Sequence, residues 1–180
     1  MTGRFIAVVG PSGVGKDSLM EALVACDPRF VLARRVITRP IEAGGEAYDG
    51  VTDAEFETRK GAGEFALSWP AHGLSYAIPA SVDAQLANGK DVLANLSRSK
   101  LTCAHARFAR FEVINLTATQ GILAKRLAAR GRETAAQIET RLDRVTRALP
   151  THLTLHSIDN SGALSMAVNR VIACLYSAPT

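Results

Sequence analysis

The residues with the clearest chemical purpose are Gly10-Pro11-Ser12-Gly13-Val14-Gly15-Lys16-Asp17-Ser18. Glycines at this spacing let consecutive backbone N–H groups curl around an anion, and the lysine after the last glycine reaches toward it. The run follows a short apolar stretch, Phe5 to Val9, and precedes a segment in which Leu19, Met20, Leu23 and Val24 share one helical face. Strand, glycine-rich turn and helix start form the context that the GxxxxGK[ST] phosphate-binding pattern demands. All of residues 10–18 are therefore candidates for holding the phosphates of a nucleotide. One position departs from the pattern. The residue after the lysine is Asp17, and the hydroxyl comes one place later at Ser18. The carboxylate is either an oxygen ligand for Mg²⁺ beside Ser18 or an acidic cap on the helix N-terminus.

Several phosphate-loop classes fall away on further motifs. Asn88-Gly89-Lys90-Asp91 carries the letters of a GTPase base-reading motif in the wrong order. The apolar run 92–96 is followed by Ser97, not by the acid that a motor or large ATPase would need at that strand end. Small kinases remain, in which the loop is joined by an acceptor-binding insertion and an arginine-bearing lid.

The elements that must position these residues alternate along the chain. Strand signals fall at 5–9, 31–37, 91–96, 111–116 and 152–158. Helix signals fall at 16–26, at 52–61 behind the capping box Thr52-Asp53-Ala54-Glu55, and at 117–131 behind Thr117-Ala118-Thr119-Gln120. A further helix is expected behind Thr134-Ala135-Ala136-Gln137, striped by Ile138, Leu142, Val145 and Leu149, and a closing helix at 163–175. This alternation predicts an α/β fold, a parallel sheet flanked by helices. Residues 38–89 break the rhythm with glycine, proline and aromatics and look like a ligand-bearing insertion. We expect a single P-loop kinase domain over 1–180, with its core at about 1–37 and 89–180, the acceptor-binding insertion at about 38–88 and the lid at about 126–147.

Composition bounds the remaining classes. A chain of 180 residues with 47% hydrophobic and 21% charged residues can bury a substantial core and is too apolar for disorder. The five-residue apolar run near the N-terminus is too short for a membrane span or a signal-peptide core. Cys26, Cys103 and Cys174 are widely spaced and read as reduced, mostly buried thiols of a cytoplasmic protein. The net charge of +4 comes from sixteen arginines and only five lysines. A GC-rich genome imposes the same bias, so the arginines are judged by position. They cluster at 29–39 and 126–147, with few aromatics near the second cluster, which does not favour nucleic acid.

A resemblance then becomes specific. Thr38-Arg39-Pro40, Gly44-Gly45-Glu46 with Tyr48, Glu55-Phe56, Gly63-Glu64-Phe65, Trp69, His72-Gly73, Tyr76, Pro79 and Gly89-Lys90-Asp91-Val92-Leu93 resemble the guanylate kinase family in order and spacing. Arg126-Leu127 and Arg130-Gly131, followed by 134–142, are similar to its lid. The places where that family reads guanine with acids hold Ser68 and Ser97, and Glu42 replaces a second phosphate-binding arginine. A site built on such hydrogen bonds discriminates by about 10⁴ or more, so guanosine monophosphate is a poor candidate. Gly15-Lys16-Asp17-Ser18, the segment 33–40, Leu67-Ser68-Trp69, Ala71-His72-Gly73-Leu74 and Ser97-Arg98 resemble instead the ribose 1,5-bisphosphate phosphokinases of phosphonate breakdown. Tyr48 stands where many members of that branch carry histidine.

The resemblance implies ATP as donor, Mg²⁺ as cofactor and a sugar bisphosphate as acceptor. Its attacking phosphate oxygen is already anionic, so no general base is required, and catalysis is positioning plus charge neutralisation. Lys16 and the loop amides would hold the donor. Arg39, Tyr48 and Tyr76 would hold the acceptor phosphate, Ser68 and Ser97 would line the acceptor pocket, and Arg98 would take the second phosphate. Arg126, Arg130, Arg141 and Arg144 would close on the transferring group, although Arg141 and Arg144 fit a solvated helix face equally. His72, Trp69 and Pro70 read as structural. The rival readings are a guanylate or other nucleoside monophosphate kinase, and a non-catalytic phosphate-binding module. The partners are expected to be small molecules, with no nucleic acid and no membrane; the oligomeric state stays open, a homodimer included.

Overall fold

A central parallel strand is buried on both faces and so reads as a continuous apolar run, and Phe5–Val9 is such a strand. In the computed structural model, which describes residues 2–40, 47–129 and 149–176, it forms β1 with every residue buried. The other strands are β2 (Phe30–Leu32), β3 (Arg35–Ile37), β4 (Tyr48–Gly50), β5 (Phe65–Ala71), β6 (Leu74–Pro79), β7 (Asp91–Asn95), β8 (Phe111–Thr117) and β9 (Leu155–Asp159). The described helices are α1 (Lys16–Cys26), α2 (Asp53–Gly61), α3 (Val82–Ala87), α4 (Leu101–Arg107), α5 (Gln120–Ala129) and α6 (Leu164–Tyr176).

Two sheets result. The first has the order β2-β7-β1-β8-β9, with every pairing parallel. Its pleat feeds two cores. Phe5, Ala7 and Val9 point with Val92, Ala94 and Val113 to one side, against Leu101, Ala104 and Phe108 around α4. Ile6 and Val8 point with Leu93 and Ile114 to the other, against Leu19 and Leu23 of α1 and Val168 and Val171 of α6. Phe5, Ile6 and Val8 are fully buried, each contributing about 1.5–3 kcal/mol relative to exposure. The second sheet, order β4-β3-β6-β5, is mixed and covered on one face by Phe56 of α2. Thr52 caps α2 by accepting from the Glu55 N–H at 3.2 Å, as the sequence pattern predicts.

Four expectations are corrected. The helix expected behind Thr117-Ala118-Thr119-Gln120 starts only at Gln120, because Thr117 still pairs with Asp159 as the last residue of β8. The single strand expected over 31–37 is two strands in different sheets. The last backbone bond to the main sheet, from Ala33 N–H to the Leu93 carbonyl, precedes Arg34 and Arg35, whose charged side chains turn the chain out of the core. The strand expected over 152–158 starts only at Leu155, because residues 151 and 152 form a turn. The three cysteines are free but exposed, not buried: Cys103 and Cys174 lie off the faces by which α4 and α6 pack, and Cys26 ends α1 toward solvent. No described helix is long and apolar enough to cross a membrane.

The strand starts are tied together by one buried charge cluster. Arg4 donates from its side chain to Asp91 at 2.6–3.3 Å, to Glu112 at 3.2 Å and to the Leu175 carbonyl at 2.8 Å. Tyr176 O–H donates to the same Asp91, and His156 pairs with Glu112 at 2.7 Å. Burial alone would raise the Asp91 pKa, but hydrogen bonds from Arg4 and Tyr176 outweigh it and hold the carboxyl below the usual range. The native state therefore binds fewer protons than the unfolded chain near pH 4, and this contribution to stability is lost as pH falls below about 4. Asp91→Asn is expected to cost about 3–5 kcal/mol in denaturant unfolding, because it leaves Arg4 buried beside a neutral amide. The variant should also show a shallower loss of stability between pH 5 and pH 3 than the parent, measured by the same titration.

Candidate active site

Ligands of open parallel sheets bind at the carboxyl ends of the strands, and there residues 10–15 link β1 to α1, whose first turn carries Lys16, Asp17 and Ser18. Gly15 caps α1 at φ +93°, a left-handed conformation that glycine adopts without strain. The loop is held from behind. A Cβ on Gly10 would lie 2.5 Å from the Leu116 carbonyl of β8, and one on Gly15 would lie 2.9 Å from the Asn160 side-chain nitrogen. Lys16 folds over the loop, its Nζ donating to the carbonyls of Gly10 at 3.0 Å and Pro11 at 3.2 Å. Val14 is buried, Pro11 and Asp17 are half-buried, and Ser12 and Ser18 are exposed.

Asp17 faces the end of β7, where Asn95 Nδ2 donates to its Oδ1 at 3.3 Å. The two residues line a shallow recess with Met20, Glu21, Leu32, Ala33 and Ala47. In many phosphate-loop enzymes the loop supplies a neutral hydroxyl to Mg²⁺ and the neighbouring strand supplies the acid. Here the acid is on the loop and the strand end carries an amide. The donor set fits a hard cation, which is commonly held by one or two carboxylates together with substrate phosphates.

A polar ledge continues across the strand ends. Arg98, in the 3-10 turn Arg98–Lys100 after β7, donates to Asn115 Oδ1 at 3.4 Å, and Asn115 Nδ2 reaches Ser157 Oγ at 3.5 Å. Ser97 Oγ pairs with Ser99 Oγ at 2.9 Å. On the second sheet, Arg39 lies 4.3 Å from the centre of the Tyr48 ring, and Tyr48 O–H donates to the Pro40 carbonyl. Tyr48 is buried, so the phenol the sequence assigns to the acceptor uses its proton within the protein. Tyr76 stacks on Trp69 at 5.7 Å and 11°, beneath Arg35 at 5.2 Å. Residues paired across a sheet share a face. Ser68 is paired with Ala77, as is Val36, whereas Trp69 is paired with Tyr76, as is Ile37. Ser68 therefore shares the α2 side of this sheet, opposite to Tyr76. Arg126 donates to the carbonyls of Val14 at 3.2 Å and Asn160 at 2.9 Å. Glu42, Arg130, Arg141 and Arg144 lie outside the described residues, as do most of the expected lid and the helix expected behind Thr134.

Curated relatives decide the family. The chain is 54% identical over 167 residues to the ribose 1,5-bisphosphate phosphokinase PhnN of Ruegeria sp. (strain TM1040), covering 92% of this chain and 88% of that protein. It is 46% identical to the protein of the same name from Pseudomonas fluorescens (strain SBW25), over 97% of this chain and 96% of the relative. The chain belongs to the ribose 1,5-bisphosphate phosphokinase family. No family model matches it. Among solved structures it is similar to the guanylate kinase from Anaplasma phagocytophilum, with a TM-score of 0.67 and 17% identity over 97% of this chain and 85% of that one. The fold is thus that of a P-loop kinase, as the alternation of elements and the loop predict.

Two residues of this family member's site escape a reading of local motifs. Asn95 is the last residue of β7, two positions before Ser97, where an acid would be sought. Asn160 comes directly after β9, 146 positions from the loop carbonyl it binds, so no spacing rule connects them. Asn160 is buried, its Nδ2 donates to the Val14 carbonyl at 2.8 Å, and its Oδ1 has no hydrogen-bond partner among the described residues. An unsatisfied buried acceptor costs about 1–3 kcal/mol, so something must compensate at this position. Gly15→Ala combines a strained φ with a collision against Asn160. It is expected to cost about 1–2 kcal/mol in stability and to weaken Mg²⁺–ADP binding by at least about tenfold, measured by thermal unfolding and calorimetric titration.

Proposed function

We propose that the protein transfers the γ-phosphoryl group of ATP to the 1-phosphate of ribose 1,5-bisphosphate, giving 5-phosphoribosyl 1-diphosphate and ADP. The observation that carries this reading is the 54% identity across 92% of the chain to a relative of that name. The site agrees in kind. An intact loop with Lys16 suits a polyphosphate donor, and the strand end at Ser97 offers a hydroxyl where a guanine reader needs a carboxylate.

In this reading an oxygen of the acceptor phosphate attacks the γ-phosphorus, the bond to the β-phosphate oxygen breaks, and ADP leaves with that electron pair. The loop amides and Lys16 hold the donor, Lys16 exchanging its contacts to Gly10 and Pro11 for phosphate oxygens. Arg39, with Tyr48 behind its guanidinium, presents charge to the acceptor phosphate; Tyr76 supports that side of the second sheet. Arg98 takes the second phosphate from the ledge at the strand ends, beside Ser97. Arg130 and Arg141, outside the described residues, would supply charge to the transferring phosphoryl group. Ser68 reaches the acceptor only if the insertion rearranges. Asp17, held by Asn95, and Ser18 would hold Mg²⁺, which when bound neutralises charge developing on the β- and γ-phosphates. The exposed free cysteines suit a reducing cytoplasm.

Thermal-shift measurements with Mg²⁺–ADP, ribose 1,5-bisphosphate and GMP test the assignment. Stabilisation by the first two and none by GMP is expected; stabilisation by GMP alone would favour a nucleoside monophosphate kinase. Lys16→Ala should stay folded and lose at least about 10³-fold in turnover, as when a transition-state charge clamp is removed. Asp17→Asn keeps the size of the side chain and removes its charge. It should raise the Mg²⁺ concentration for half-maximal rate more than the KM for ATP, whereas a helix-capping role predicts a lower Tm and an unchanged Mg²⁺ curve.

A further inference from the structure

The peptide between Val14 and Gly15 is gripped from outside the loop. Its carbonyl accepts from Asn160 Nδ2 at 2.8 Å and from Arg126 Nη1 at 3.2 Å. Arg126 Nη2 donates to the Asn160 carbonyl at 2.9 Å, so the two gripping residues also hold each other. The backbone of Asn160 is itself fixed, its N–H donating to the Thr117 carbonyl at the end of β8 at 2.8 Å. In a planar trans peptide the C=O and N–H groups point in opposite directions. Turning the Val14 carbonyl outward therefore turns the Gly15 N–H inward, toward the concave side on which a phosphate chain is held.

The state of Asn160 singles out its donor. The residue is 3% exposed, and among the described residues only one end of its amide is satisfied. A position kept for packing would carry an apolar side chain of the same shape and avoid the unpaired Oδ1. The contact is also close enough to require glycine at position 15, where a Cβ would lie 2.9 Å from Nδ2. Arg126 directs both of its terminal nitrogens at main-chain carbonyls of this assembly.

We propose that Asn160 and Arg126 are positioning residues of the phosphate loop, acting on the donor phosphates through the Val14–Gly15 peptide and not through the nucleobase. The inference rests on the donor role proposed above for the loop and is independent of the acceptor. Inorganic tripolyphosphate, which has no base or sugar, separates action through the loop from action on the base. Binding of Mg²⁺–ADP and of Mg²⁺–tripolyphosphate is measured calorimetrically for the parent, Asn160→Leu and Arg126→Lys, with Tm recorded for each. Leucine matches asparagine in shape, removes the orphan acceptor and leaves Val14 with the Arg126 donor, so Tm should move by no more than about 2 °C. Both probes should nonetheless bind about five- to tenfold more weakly to Asn160→Leu. Arg126→Lys keeps one donor and should weaken both probes by a smaller, equal factor of about three; it carries the test if Asn160→Leu does not fold. Unchanged tripolyphosphate binding in the folded variants, or a loss confined to ADP, would overturn the proposal. A parent protein that bound neither probe would overturn the donor role as well. Binding of both probes without turnover of ribose 1,5-bisphosphate would remove the proposed acceptor and leave the loop clamp standing.

Discussion

A polyphosphate can be held by main-chain amides only where no side chain intrudes and where the backbone cannot relax away. That double constraint organises this molecule. The glycines at 10, 13 and 15 satisfy the first half, each with positive φ. The second half falls to everything around them: a fully buried β1 delivers the loop, the Leu116 carbonyl of β8 stands 2.5 Å from where a Cβ on Gly10 would be, and the Leu127 side chain of α5 stands 3.0 Å from where one on Gly13 would be. The parallel sheet, the helices on its two faces and the buried Arg4–Asp91 cluster at its far end are the supports of one short turn.

Charge is distributed around that turn in an uncommon way. A carboxylate on the loop at Asp17 puts negative charge close to where phosphates would lie, and the neighbouring strand end offers only the amide of Asn95. Exchanging the usual positions of acid and neutral ligand keeps one carboxylate within reach of a divalent ion. It also orients that carboxylate by a hydrogen bond from Asn95 instead of setting a second negative charge beside it. The arginines at 39 and 98 and the net charge of +4 suit an enzyme whose two substrates are both polyanions.

Legibility in the sequence tracks the distance over which each feature is determined. The loop, the capping box of α2 and the strands β1 and β7 are readable because a few adjacent residues specify them. Features set by distant partners are not. The separation of β2 from β3 depends on which sheet each edge meets, and the face on which Ser68 lies depends on its register with Ala77. The exposure of Cys103 and Cys174 depends on how α4 and α6 roll against the sheet. Asn160 is invisible because its partner is at Val14, across most of the chain. Arg126 is readable as one of a cluster of arginines, but its partners, both main-chain carbonyls, are not.

The proposed reaction has a P-loop kinase site phosphorylate a sugar phosphate and not a nucleotide. It is tested most directly by measuring kcat/KM with Mg²⁺–ATP for ribose 1,5-bisphosphate and for GMP, with the product identified by phosphorus NMR. The predicted result is turnover of ribose 1,5-bisphosphate with a diphosphate formed at C1, and a kcat/KM for GMP lower by about 10⁴ or more. Comparable efficiency with GMP, or no diphosphate from ribose 1,5-bisphosphate, would contradict it.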